Sequence, residues 1–117
     1  MFRASLLFVL LCLASTAGLA NELICSKVAN EAETSSISYY PSAEATVIGK
    51  GSVNFYSAPS TECKMGNVYV VKGNFLTLYK SYKGWVNVMY IAKDGKDFIG
   101  WVPQNRVKTV GQYGHNP

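Results

Sequence analysis

From Val47 onward the chain is a succession of short β-prone runs, each interrupted within a few residues by Gly, Asn, Lys or Pro, and this punctuation limits the possible folds more than any other feature. The runs are Ser52–Tyr56, Asn67–Lys72, Phe75–Tyr82, Trp85–Ile91, Phe98–Val102 and Arg106–Val110. Between them stand Ala58-Pro59-Ser60, Gly73-Asn74, Lys83-Gly84 and Asp94-Gly95-Lys96. Runs this short at this spacing predict a small all-β barrel or sandwich. Asp94-Gly95 between two runs predicts a hairpin, because glycine accepts the backbone angles of a tight turn. Period-2 alternation then assigns faces. Val86, Val88 and Tyr90 share one side of their run, with Trp85, Asn87 and Met89 on the other. Leu76 and Leu78 likewise oppose Thr77 and Tyr79. The expected core is Val53, Phe55, Val68, Val70, Leu76, Leu78, Val86, Val88, Val102 and Val107.

The first twenty residues have a different character. Met1-Phe2-Arg3 is a short positive start, Leu6–Ala14 is unbroken apolar sequence, and Gly18-Leu19-Ala20 places small residues before Asn21. That is the arrangement of a secretory signal peptide, residues 1–20. The apolar run is shorter than the roughly 20 residues that cross a bilayer core, so no stable membrane span is expected after signal removal. Val9-Leu10-Leu11 ahead of Cys12 lacks the small residues of a lipoprotein processing site. Cys25 and Cys63 remain, and an even count in an exported chain reads as a disulfide. Closing the loop from 25 to 63 is worth roughly 4 kcal/mol in the chain-entropy description. Residues 21–47 are read as an N-terminal arm tied on by that bond. Leu23, Ile24, Lys27, Val28 and Ala32 fit a short helix, and a strand through Leu23–Val28 fits equally. Thr34–Tyr40 is polar and β-prone, and Pro41 is expected to end it. Residues 111–117 read as a flexible tail.

Charge is distributed unevenly around a formal net of +4. Residues 21–47 carry Glu22, Glu31, Glu33 and Glu44 against Lys27, whereas residues 48–117 carry nine basic side chains and three acidic ones. A basic domain attracts polyanions. Export argues against nucleic acid and leaves wall carboxylates, lipid headgroups or an acidic protein. The lysines stand singly between apolar residues, as charges guarding exposed strands do. Catalysis needs a placed nucleophile, acid or base. The only histidine is His115 in the tail, both cysteines are used in the disulfide, and Asp94 and Asp97 are explained by the hairpin and by solvation. Metal ligands do not cluster, and Gly49-Lys50-Gly51 lacks the second half of a phosphate loop. The expectation is a protein that is not an enzyme and takes no cofactor.

Four short motifs, in order, give residues 48–110 a family resemblance. They are Gly51-Ser52-Val53-Asn54-Phe55-Tyr56-Ser57-Ala58-Pro59, Lys72-Gly73, Gly84-Trp85-Val86-Asn87-Val88 and Gly100-Trp101-Val102-Pro103. This stretch resembles the bacterial SH3-like domain. The resemblance implies a five-stranded, strongly bent barrel with one turn of 3₁₀ helix near Pro103–Arg106. It also implies a ligand groove between the long first loop, about residues 56–67, and the loop before Trp85. Trp85 matches the exposed aromatic of that groove. Where eukaryotic relatives carry a tyrosine after Pro-x-Asn, this chain has Arg106, which favours a carboxylate over a proline helix. Cys63 would anchor the arm beside the groove.

The expected ligand-binding residues are therefore Tyr56, Lys83, Trp85 and Arg106, an indole between basic groups having the character of a binding hot spot. Trp101, beside Gly100, is expected to be structural. Two functions fit best: a periplasmic or secreted module that recognises a cell-wall peptide or an acidic peptide, and an immunity protein or inhibitor that blocks a toxin or lytic enzyme in the envelope; a structural or assembly role in the envelope with no compact ligand ranks below both.

Overall fold

Leu76, Leu78, Val86 and Val88 are all essentially inaccessible, and the residues between them are not, so the two-residue alternation of these runs sorts one face inward. The computed structural model describes the backbone of residues 2–112 and the side-chain surroundings of residues 19–112. Helix α1 (Phe2–Ser35) leads into seven strands: β1 (Ile37–Val47), β2 (Val53–Tyr56), β3 (Lys64–Val70), β4 (Phe75–Tyr82), β5 (Trp85–Ile91), β6 (Asp97–Pro103) and β7 (Val107–Gln112). Single 3₁₀ turns occupy Thr61–Cys63 and Gln104–Arg106, the second within the segment where one was expected.

The strands form one antiparallel sheet in the order β3-β2-β6-β5-β4-β1-β7. Among the described residues its hydrogen-bonded ladder does not close: β3 and β7 are the edges. The five-stranded barrel is thus replaced by a seven-stranded open sheet, and the reason lies in residues 37–47. This segment is not an arm but strand β1, inserted between β4 and β7. Pro41 was expected to end it. The pairing with β4 instead skips from Ser38 to Ala43, and Pro41, which has no N–H to give, falls inside that irregularity. The strand resumes with Ala43, Ala45 and Val47 facing inward, all buried.

Those three residues complete the core. Eight of the ten expected positions are buried, while Val68 and Val107 pack against the cluster only partly covered. A single sheet with no second layer can bury one face only by curling over it, and the shared cluster of β1, β2, β3, β4, β5 and β6 residues shows that it does. Gly100 lets β2 approach β6, since a Cβ there would sit 3.0 Å from the Phe55 ring and 3.1 Å from the Tyr56 carbonyl oxygen.

Helix α1 resolves the choice left open for residues 21–35. Leu23, Lys27, Ala29, Glu31, Ala32 and Glu33 are good helix formers, and β-branched residues are too sparse to favour a strand. The helix ends where the Thr34 hydroxyl turns back on the Glu31 carbonyl (3.0 Å) and the Ser36 N–H closes on the Ala32 carbonyl (2.9 Å). Among the described residues no helix is long and apolar enough to cross a membrane. Gly111 and Gln112, read as tail, belong to β7, where the Gln112 amide donates to the Pro41 carbonyl (3.3 Å). The remaining tail positions, His115 among them, lie outside the described residues.

Candidate functional site

Tyr56 ends β2 and Trp85 begins β5, and four local devices position them. Lys83 and Gly84 both have positive φ (44° and 83°), as a two-residue turn matched to strand twist requires, and this turn joins β4 to β5. Trp85 pairs with Pro103 across the β5–β6 ladder. The Gln104 N–H then donates to the Gly84 carbonyl (2.9 Å), fixing the second 3₁₀ turn against the hairpin. On the other wall, the Ser57 N–H donates to the Cys63 carbonyl (2.8 Å), closing the first loop behind Tyr56.

The outcome is an edge-to-face contact between the Tyr56 and Trp85 rings, centroids 4.9 Å apart at 73°. Such a pair is worth about 0.5–1.5 kcal/mol beyond its buried area and holds both rings in place. It borders an open groove of about 620 Å³ lined by Tyr56, Thr61, Gly84, Trp85, Pro103, Gln104 and Asn105. Trp85 and Tyr56 are half-buried, and Thr61, Gln104 and Asn105 are exposed. Trp101, only 4% exposed, pairs with Tyr56 and with Asn87 in the sheet and has the structural role expected of it.

The basic pair expected at the groove lies elsewhere. The Arg106 guanidinium donates from Nε to the Ile48 carbonyl and from Nη2 to the Lys50 and Gly51 carbonyls, each at 2.9 Å. It is a clamp on the loop between β1 and β2, with its Nε and Nη2 donors engaged there. The Lys83 ammonium sits over the Tyr82 ring, 5.3 Å from its centroid. Neither side chain lines the groove.

Cys25 of α1 is bonded to Cys63, the last residue of the first 3₁₀ turn, with Cα atoms 5.7 Å apart. The same turn carries Thr61 of the groove. A second cleft, about 490 Å³, opens between the turn and α1, with Asn21, Glu22, Ser26 and Glu62 among its lining residues. Cys25 and Cys63 both line this second cleft, and Cys63 shares its turn with Thr61 of the groove.

Sequence reasoning missed two groups. Thr61, Gln104 and Asn105 stand in 3₁₀ turns, where alternation gives no facing; the resemblance drew attention to their segments but not to these side chains. Phe75, Ile91 and Ile99 are large apolar residues with exposures of 61%, 60% and 57% on the face opposite the core. Phase arithmetic would have found these: in β4 and β5 they share the register of Thr77 and Met89, away from Leu76 and Val88. Met89 pairs with Ile99, so the patch is continuous across β5 and β6.

In comparisons of the chain with family models, with curated proteins and with solved structures, no match was found.

Proposed function

We propose that this protein is a non-catalytic, exported binding module of the SH3-like kind that attaches to a cell-wall ligand through the Tyr56–Trp85 groove. The observation that carries the proposal is the edge-to-face ring pair beside an open groove. A half-exposed indole, braced by a second ring and flanked by free polar side chains, has the make-up of a recognition site. The motifs Gly84-Trp85-Val86 and Gly100-Trp101-Val102 support the family reading. Residues 1–20 support export, with the periplasm as the expected residence and secretion as the other route. Cleavage before Asn21 would retain Cys25 and the Asn21–Ser35 portion of α1. Because Arg106 is turned onto the Ile48, Lys50 and Gly51 carbonyls and does not line the groove, the groove offers an acidic peptide no guanidinium, and an acidic ligand loses its main support.

The test is co-sedimentation of the mature, disulfide-intact protein with insoluble peptidoglycan sacculi at low and high salt. Pelleting is expected to survive high salt, which removes the non-specific pull of an anionic wall on a basic protein. Trp85→Ala is expected to abolish it while leaving the circular dichroism spectrum unchanged. Pelleting that salt removes, or that Trp85→Ala leaves intact, would refute the proposal.

One observation favours the second reading, an inhibitor or immunity protein. The Phe75–Met89–Ile91–Ile99 patch is a contiguous apolar surface outside the core, of the kind that marks protein contacts. On that reading the protein would form a stoichiometric envelope complex that survives Trp85→Ala and is lost in Ile91→Ser/Ile99→Ser.

A further inference from the structure

We infer that the ligand of the Tyr56–Trp85 groove is an uncharged oligosaccharide. This rests on the groove being the binding site and goes beyond it by naming the ligand's chemistry.

Charge is the first consideration. Among the described residues, every side chain lining the groove is neutral: Tyr56, Thr61, Trp85, Pro103, Gln104 and Asn105. The nearest cations in sequence are turned elsewhere, Lys83 onto Tyr82 and Arg106 onto the 48–51 carbonyls. A ligand held through carboxylates or phosphates would find no counter-charge in the groove itself.

Hydrogen bonding is the second. The carboxamides of Gln104 and Asn105 and the hydroxyl of Thr61 are solvent-exposed, and among the described residues none has a hydrogen-bond partner within the protein. A carboxamide both donates and accepts, and so does a hydroxyl. Two amides and a hydroxyl around one groove therefore match a ligand whose surface is made of groups that also do both, which describes a sugar. The indole of Trp85 supplies an apolar face for the C–H side of a pyranose ring. Its bracing by Tyr56 means that little side-chain freedom is lost when a ring stacks there.

The main chain is the third consideration, and it weighs against a peptide added as a strand. A peptide bound along a sheet satisfies its own amides by pairing with a free strand edge. Beside this groove β5 is already paired with β4 and β6, and β6 with β5 and β2. The Gln104 N–H and the Gly84 carbonyl are bonded to each other. A peptide that binds by strand addition would find no ladder here, whereas a sugar needs none.

The experiment is titration of the mature, disulfide-intact protein with N-acetylchitotriose and with maltotriose, followed by calorimetry and by indole fluorescence. Because Trp101 is buried, a fluorescence change on binding reports Trp85. A polyproline peptide and a poly-glutamate peptide are run as comparators. At least one trisaccharide is expected to bind with a Kd unchanged between low and high salt, since a neutral ligand carries nothing for salt to screen. Trp85→Ala is expected to weaken it by about tenfold or more, the scale of a hot-spot truncation. Asn105→Ala should weaken it measurably, and Lys108→Ala, on the exposed edge strand β7, should leave it unchanged. Should Trp85→Ala lose its fold, Trp85→Phe and Asn105→Ala carry the test. If a peptide binds in a Trp85-dependent way and neither sugar binds, the groove stands and the oligosaccharide inference is overturned. Absence of any sugar binding, with sacculi still pelleted, also overturns it. Sugar binding that is indifferent to both Trp85 and Asn105 would overturn the inference and place the binding site outside the groove.

Discussion

Replacing Cys25 and Cys63 together by serine is expected to lower the unfolding free energy by roughly 4 kcal/mol, the entropy of closing a loop of this length. The bond spans 38 positions of sequence, within which lie the end of α1, the whole of β1 and the whole of β2. In the unfolded chain these segments would gain all the freedom that the bond removes. The folded state has little to set against that. Apart from the disulfide, the described ties of α1 to the sheet include a Glu33–Lys80 ion pair whose carboxylate side is 65% exposed, and such pairs contribute little. Ala32 is buried, but Leu23 and Ile24 remain exposed, so the helix presents little apolar surface to the sheet. Urea titration followed at two wavelengths checks this. The double variant should unfold at a clearly lower midpoint, and its helical signal should be lost before its sheet signal. An unchanged midpoint would mean that α1 and the first loop hold together without the bond.

Strands β2 to β7 and most of the core were legible because they rest on alternation, which depends only on neighbours in sequence. Val53, Phe55, Leu76, Leu78, Val86, Val88 and Val102 all follow from it. Asp94-Gly95 was legible for the same reason. Its hairpin closes through Ala92 N–H to the Lys96 carbonyl (2.8 Å), with the Asp94 carboxylate accepting from the Lys96 N–H (3.1 Å). Strand β1 was not legible. Ala43 and Ala45 are small and carry a weak hydrophobic signal, and Pro41 signals an ending. The strand exists because β4 and β7 supply partners on both sides, a tertiary fact absent from the local text. The aromatic half of the site was legible: Trp85 by its phase opposite the core valines, Tyr56 by its place at the end of a run. The basic half was not, because a side chain as long as arginine reaches whatever acceptors the fold brings near it, and those acceptors are 55 to 58 positions away in sequence.

Arg106 is therefore the residue at which mutation separates the two roles most sharply. Arg106→Ala is expected to cost about 2–3 kcal/mol, since hydrogen bonds to a charged group are worth about 1.5–3 kcal/mol each and this site is only partly buried. Three carbonyls at 2.9 Å lose their donor at once, and the Ile48–Gly51 loop keeps the backbone bond from the Ile48 N–H to the residue 106 carbonyl but loses its side-chain clamp. Arg106→Lys is expected to remain within about 1 kcal/mol of the alanine variant, because one ammonium cannot reproduce a planar fork that divides its donors between two directions. The loop itself imposes a related requirement. Gly49 has φ +87°, and a Cβ built there would lie 2.8 Å from Arg106 Nε, so Gly49→Ala should reproduce much of the defect by displacing the guanidinium. Thermal and urea unfolding measure all three. Binding supplies the opposing readout: the folded fraction of Arg106→Ala should pellet with sacculi as the unaltered protein does. A variant of unchanged stability that no longer binds would reverse the assignment, returning Arg106 to the ligand and removing it from the loop.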